Sequence, residues 1–137
     1  MSYVDTFIIV APDSDLERAV VPTARGEKKT IAQLEHELLS NAPYRYTEAE
    51  AQFAVHLARL GLPPLEEDAR RASLEREFFS TSRACLRASP LPKKFGWGIH
   101  YDANGRIAIY AVESDDYRRL ANDPSLKQLA AMRSSRA

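Results

Sequence analysis

Cys85, Arg87 and Ser89 stand two residues apart in Ala84-Cys85-Leu86-Arg87-Ala88-Ser89. On a β-strand, residues at that spacing share a face and lie about 6.6 Å apart. The segment therefore predicts a short strand with a polar row on one side and Ala84, Leu86 and Ala88 on the other. His100 and Tyr110 fall on one face of a hairpin further along the chain. If the two β segments lie side by side, a Cys, a His, an Arg, a Ser and a Tyr converge, and Gly96 and Gly98 leave space beside His100. Cys85 and His100 would then be a catalytic nucleophile and its base, because the thiolate is the reactive form and Arg87 would favour it. The competing reading is a small buried cysteine. No dedicated signature surrounds Cys85, and no Asn or Asp stands out to orient His100.

Charge adds a second kind of chemistry. From Ser80 to Arg106 the chain carries Arg83, Arg87, Lys93, Lys94 and Arg106 against the single acid Asp102. Arg25, Lys28 and Lys29 form a second basic cluster. Arg offers a forked pair of donors and Lys a point charge, so such groups suit a carboxylate or phosphate. The leading expectation is a pocket for an anionic small molecule. Arg87 is its principal contact and His100 its donor or proton carrier, with Ser89, Tyr110, Lys93, Lys94, Lys28 and Lys29 completing it. The bland alternative is a solvated face paired with the acids of residues 46–80. Two other functions stand beside the leading one. The first is a cysteine-dependent enzyme using Cys85 and His100. The second is a non-enzymatic interaction module, with a homodimer formed by pairing of the acidic and basic stretches.

Other residues say less. His36 falls on the polar side of a helix, and His56 on the boundary of an apolar stripe. Tyr44 and Tyr46 either line a pocket mouth or clamp a connector. No H-x-x-x-H, H-E-x-x-H or glycine-rich phosphate loop is present, so no metal and no cofactor is expected. Lys93-Lys94 beside Phe95 and Trp97 could serve nucleic acid, but the hairpin register puts Trp97 in the core, which argues against it.

The elements that must position these residues follow from apolar spacing and punctuation. Thr6-Phe7-Ile8-Ile9-Val10 is apolar on both alternating faces and predicts a covered strand. Thr30 and Gln33 have capping-box spacing before Ile31, Leu34 and Leu38. Thr47 and Glu50 repeat it before a helix with Ala49, Phe53, Leu57 and Leu60 on one face, ended by Gly61. A third helical stretch, as one helix or two, runs from Pro63-Pro64 to Phe78-Phe79. Residues 95–101 and 106–112 predict a hairpin around the loop Ala103-Asn104-Gly105. In that register Tyr101 faces Ile107 and Ile99 faces Ile109, which sorts the apolar side chains onto one face. Ser114 caps a last helix bearing Tyr117 and Leu120. The sum is an α+β fold: a small antiparallel sheet, from the N-terminal strand and the C-terminal hairpin, with three to four helices on one face. Residues 1–123 form the domain and 124–137 a tail.

Composition limits the setting. The chain has 137 residues, 45% hydrophobic and 28% charged, the balance of a globular protein and the size of one domain. Nineteen Lys+Arg offset nineteen Asp+Glu, so net charge points to neither nucleic acid nor membrane. No apolar run is long enough to cross a bilayer, and the opening residues lack the pattern of a secretory leader. One cysteine excludes an intramolecular disulfide, which favours a cytoplasmic setting.

Several segments together resemble a known family. They are Lys28-Lys29-Thr30, Pro43-Tyr44-x-Tyr46-Thr47, Phe78-Phe79-Ser80, Cys85-Leu86-Arg87-x-Ser89-Pro90-Leu91, and Gly96-Trp97-Gly98-Ile99-His100 followed by Gly105-x-Ile107-Ala108. The chain is similar, from about Thr6 to Leu120, to a family of short bacterial and fungal proteins known as a domain of unknown function. That pattern has Asn directly before Pro-Tyr, whereas Ala42 intervenes here. The resemblance implies one domain and brings no activity with it.

Overall fold

The computed structural model describes residues 3–24, 26, 28–61, 69–81 and 85–132. The chain runs β1 (Thr6–Ile9), α1 (Ile31–Asn41), α2 (Glu48–Arg59), α3 (Ala69–Phe79), a 3₁₀ turn (Leu86–Ala88), α4 (Pro90–Lys94), β2 (Trp97–Tyr101), β3 (Ile107–Ala111), α5 (Asp115–Ala121) and β4 (Lys127–Ala130). Residues 62–68, which include Pro63-Pro64 and the start of the third helical stretch, lie outside the described residues.

The fold is α+β, but its sheet is mixed. Strand order is β3-β2-β1-β4, with β1 antiparallel to β2 and parallel to β4. β4 comes from the stretch expected to be a tail. Its sequence, Lys-Gln-Leu-Ala, carries too little apolar alternation to announce a strand. The hairpin has the expected register: Tyr101 pairs with Ile107 and Ile99 with Ile109. Gly105 donates its N–H to Asp102 O at 3.0 Å with φ +77°, the left-handed geometry that a three-residue loop requires.

Both faces of the sheet are covered, so the helices are not confined to one. Ile8, Ile99, Tyr101 and Ile107 pack with Leu39 of α1, Ala51 of α2 and Leu91 of α4. Phe7 points the other way and packs with Tyr117 and Leu120 of α5. Gly98 sits on this second face, and a Cβ there would lie 2.6 Å from Phe7 and Tyr117 ring atoms. The space expected beside His100 is therefore filled by two aromatic rings. At Gly96 the absent Cβ would meet the Ala19 backbone at 3.1 Å, so that glycine admits the N-terminal loop and not a ligand.

The strand expected over 84–89 does not form. Ala84 is outside the described residues, Leu86–Ala88 is a 3₁₀ turn, and Ser89 caps α4 by accepting a hydrogen bond from Leu91 N at 3.2 Å. Proline at the first helical position loses no hydrogen bond there and comes with φ already helical, so Ser89-Pro90 starts a helix. The phase of α1 also differs from the Ile31, Leu34, Leu38 stripe: Ala32, Glu35 and Leu39 are buried, and Ile31 is exposed. Thr30 Oγ1 accepts from Gln33 N at 3.1 Å, but Gln33 Oε1 is buried without a partner, so only half of a capping box forms. The box at Thr47 and Glu50 is complete.

Candidate functional site

The residues singled out by their chemistry separate into three places. The first is the α5 side of the sheet. Across the β2–β3 ladder His100 faces Ala108, and Tyr110 faces Gly98, so each large polar side chain has a small neighbour. Tyr44, from the connector between α1 and α2, reaches both His100 and Tyr110. Its backbone N–H donates to Ile107 O at 2.8 Å, and its φ of 60° is in the left-handed region, which costs a non-glycine residue energy. Tyr44 Oη lies 2.7 Å from His100 Nδ1 and 2.6 Å from Tyr110 Oη. When Nδ1 is unprotonated, Tyr44 donates to it and Tyr110 donates to Tyr44. Burial holds the His100 imidazole below its ordinary pKa, against the opposing pull of Asp102, Asp123 and Asp5. The Tyr44 phenol is pushed far above its ordinary value, first by burial and then by the bond to Tyr110. The three side chains form one hydrogen-bonded chain, in which burial disfavours the charged forms of both His100 and Tyr44.

The second place is the opposite side of the sheet. Cys85 Sγ lies 3.5 Å from Tyr3 Oη, and the Tyr3 ring meets the Tyr101 ring edge-on at 5.3 Å. Tyr101 Oη and Leu86 N both donate to Glu48 Oε1 at 2.8 Å. Consecutive strand residues point to opposite faces, so Cys85, on the side of Tyr101, is divided by the sheet from His100. The expected nucleophile–base pair is not assembled. The reason is the missing strand: a 3₁₀ turn also breaks the row of Cys85, Arg87 and Ser89. Arg87 Nε donates to Ala130 O at 2.8 Å and Met132 N donates to Arg87 O at 2.9 Å, so Arg87 fastens the end of β4. Ser89 Oγ donates to Glu35 Oε1 at 2.7 Å. Lys93 and Lys94 lie in the last turn of α4, Lys93 half-buried and Lys94 exposed.

The third place is the seam between α1 and α2. Lys28 and Lys29, which precede α1, line a cavity of about 370 Å³ with Leu34, Ala58, Arg59 and Gly61. Lys29 Nζ reaches Glu37 Oε2 at 2.9 Å, an exposed pair that contributes little. Among the described residues, Lys28 and Arg59 have no carboxylate partner within 4.0 Å. The chain thus brings Lys28 and Lys29 together with Arg59, a cation outside both basic clusters of the sequence. Arg59 ends α2 two residues before Gly61, and only the packing of α2 on α1 carries it to the lysines.

Glu35 is likewise absent from the expected site. It is buried between Ala32 and Leu39, and burial pushes its carboxyl up to about 7, with the Ser89 hydrogen bond opposing. The Ile31, Leu34, Leu38 stripe gives no signal for it, because the buried phase of α1 runs through Ala32 and Leu39 instead. His36 is half-buried against Trp97, ring centroids 4.7 Å apart, and His56 against Phe78 at 4.6 Å. Trp97 itself is half-buried at the core's margin and donates Nε1–H to Val20 O at 2.9 Å. Among the described residues no group of three or more His, Cys, Asp or Glu side chains could hold a metal ion, and no helix is long and apolar enough to cross a membrane.

The model of a family of unknown function, DUF6157, matches residues 1–137. The chain belongs to DUF6157. This agrees with the resemblance carried by its segments, at the level of a family to which no activity is attached. No curated protein and no solved structure matches this DUF6157 chain.

Proposed function

We propose that the protein binds an anionic small molecule, a phosphate or carboxylate, in the cavity at Lys28, Lys29 and Arg59. The observation that carries this reading is the convergence of cations from two separate segments on one cavity of about 370 Å³. That volume falls in the range of small-molecule sites, roughly 300–1,000 Å³. The placement moves the expected anion contact from Arg87, whose Nε is occupied by Ala130 O, to Arg59. An anion here would receive the forked donors of a guanidinium and the point charge of Lys28, neither of which needs to leave a described carboxylate first.

A ligand that binds only the folded state raises the melting temperature, by an amount that grows with the logarithm of its concentration above Kd. Inorganic phosphate should raise the melting temperature of the wild type more than that of the Lys28→Ala/Arg59→Ala double variant, at matched ionic strength. The variant is the necessary control, because phosphate also stabilises proteins by exclusion from their surfaces. Equal rises in the two proteins would remove the site.

A further inference from the structure

We infer that the bound anion is the head of a dissolved single-chain amphiphile, an alkyl phosphate or carboxylate, whose chain lies along the seam of α1 and α2. This inference rests on the anion-binding reading and extends it to the body of the ligand. The cationic cavity does not stand alone. A second cavity, of about 400 Å³, is lined by Leu34, Leu38, Val55, Ala58 and Tyr46 among others. Leu34 and Ala58 line both, so the two adjoin along the α1–α2 seam and together make up the proposed trough.

Its direction follows from the helices. Lining positions run along α1 from Leu34 to Ala42 at its end, about 12 Å at 1.5 Å per residue. The facing wall is Val55 and Ala58 of α2. Lys28, Lys29 and Arg59 stand at one end, and Arg45 at the other, its guanidinium 5.7 Å from the centre of the Tyr46 ring. One acid, Glu37, also lines the apolar half, but its carboxylate already takes the ammonium of Lys29 and the amide of Gln33. Three cations at one end against the single Arg45 at the other, with aliphatic side chains between them, match a molecule with an anionic head and a saturated tail. A simple inorganic anion would leave the apolar half exposed to water.

The test is a chain-length series on the whole protein by calorimetry: inorganic phosphate, then ethyl, butyl, hexyl and octyl phosphate as monomers. A fully buried methylene contributes about 0.8 kcal/mol, which is about fourfold in affinity. Affinity should therefore rise by about two- to fourfold per added methylene until the trough is filled. The Leu38→Gln variant, changed only in the apolar half, should keep its affinity for phosphate and lose most of that rise. Binding of phosphate that depends on Lys28 and Arg59, with a flat series in the wild type, would overturn the amphiphile and leave the anion site standing. Absence of any phosphate response that depends on those residues would overturn both. Binding to phosphatidic acid vesicles without a response to octyl phosphate would also overturn the inference, because the occupant is a dissolved chain and not a bilayer.

Discussion

Glu35 Oε1 accepts its hydrogen bond from Ser89, which joins α1 to the start of α4, and burial raises the carboxyl to about 7. A carboxyl raised in the folded state binds its proton more tightly there than in the unfolded chain. Its favourable contribution is complete below the ordinary value of 4.5 and is lost as pH rises through about 7. Glu35→Gln keeps an oxygen for Ser89 and cannot ionise. The wild type should therefore lose stability relative to Glu35→Gln between pH 4.5 and pH 7, by about 3 kcal/mol in total, as measured by urea unfolding at a series of pH values. A constant difference across that window would mean that Glu35 ionises freely. His100 and His36 act with the opposite sign. Burial lowers both imidazoles, so their contribution is present above the ordinary 6.5 and fades as pH falls through the lowered value. The comparison with Glu35→Gln cancels them. A steric prediction belongs at the same scale. Gly98→Ala drives a methyl to 2.6 Å from the Phe7 and Tyr117 rings, both held in the core, and should cost about 1–3 kcal/mol.

Helix caps and the hairpin were readable because each is specified within a few residues. Thr47 with Glu50, Ser114 with its following aspartates, and Asp102 to Gly105 are local statements, and the structure follows them. Elements whose form depends on distant partners were not readable. The alternation in 84–89 was real, but Ser89 and Pro90 set the backbone for a helix, and Glu35, far away in sequence, fixes the serine. The buried phase of α1 was shifted because α1 packs on both the sheet and α2, a wider surface than one stripe of leucines describes. For the candidate site, Lys28 and Lys29 were visible as charge, whereas Arg59 needed the α1–α2 packing to reach them. This difference between local and distant support can be measured. Thr47→Ala removes an exposed cap and should cost about 1 kcal/mol. Ser89→Ala removes the cap of α4 and also the donor to a buried carboxyl, and should cost about twice as much by urea unfolding. Equal losses would make the Ser89–Glu35 contact energetically idle.

At the scale of the molecule, stability turns on β1, which lies between β2 and β4 and carries the fully buried Phe7 and Ile8 on its two faces. Without β4, one edge of this strand would present unpaired N–H and C=O groups beside the core. An open edge of that kind recruits strands from other molecules. Several bonds outside the strand ladder keep β4 in place: Arg87 Nε to Ala130 O, Met132 N to Arg87 O, and Gln128 Nε2 to Leu120 O at 2.8 Å. The first two come from the turn after Cys85 and the third from α5, so β4 ties together layers on opposite sides of the sheet. A protein cut to residues 1–123 should accordingly lose far more than a frayed end would. It should show a lower urea midpoint, and light scattering that rises with concentration as the exposed edge of β1 finds partners. The full-length Arg87→Leu variant removes only the guanidinium bond to Ala130 O and keeps the strand. It should lose about 1–3 kcal/mol, as expected for a charged hydrogen bond, and stay monodisperse under the conditions in which the wild type does. If the shortened chain matched the full-length protein in both midpoint and scattering, β4 would be an accessory and β1 would be stable at the edge of a three-stranded sheet.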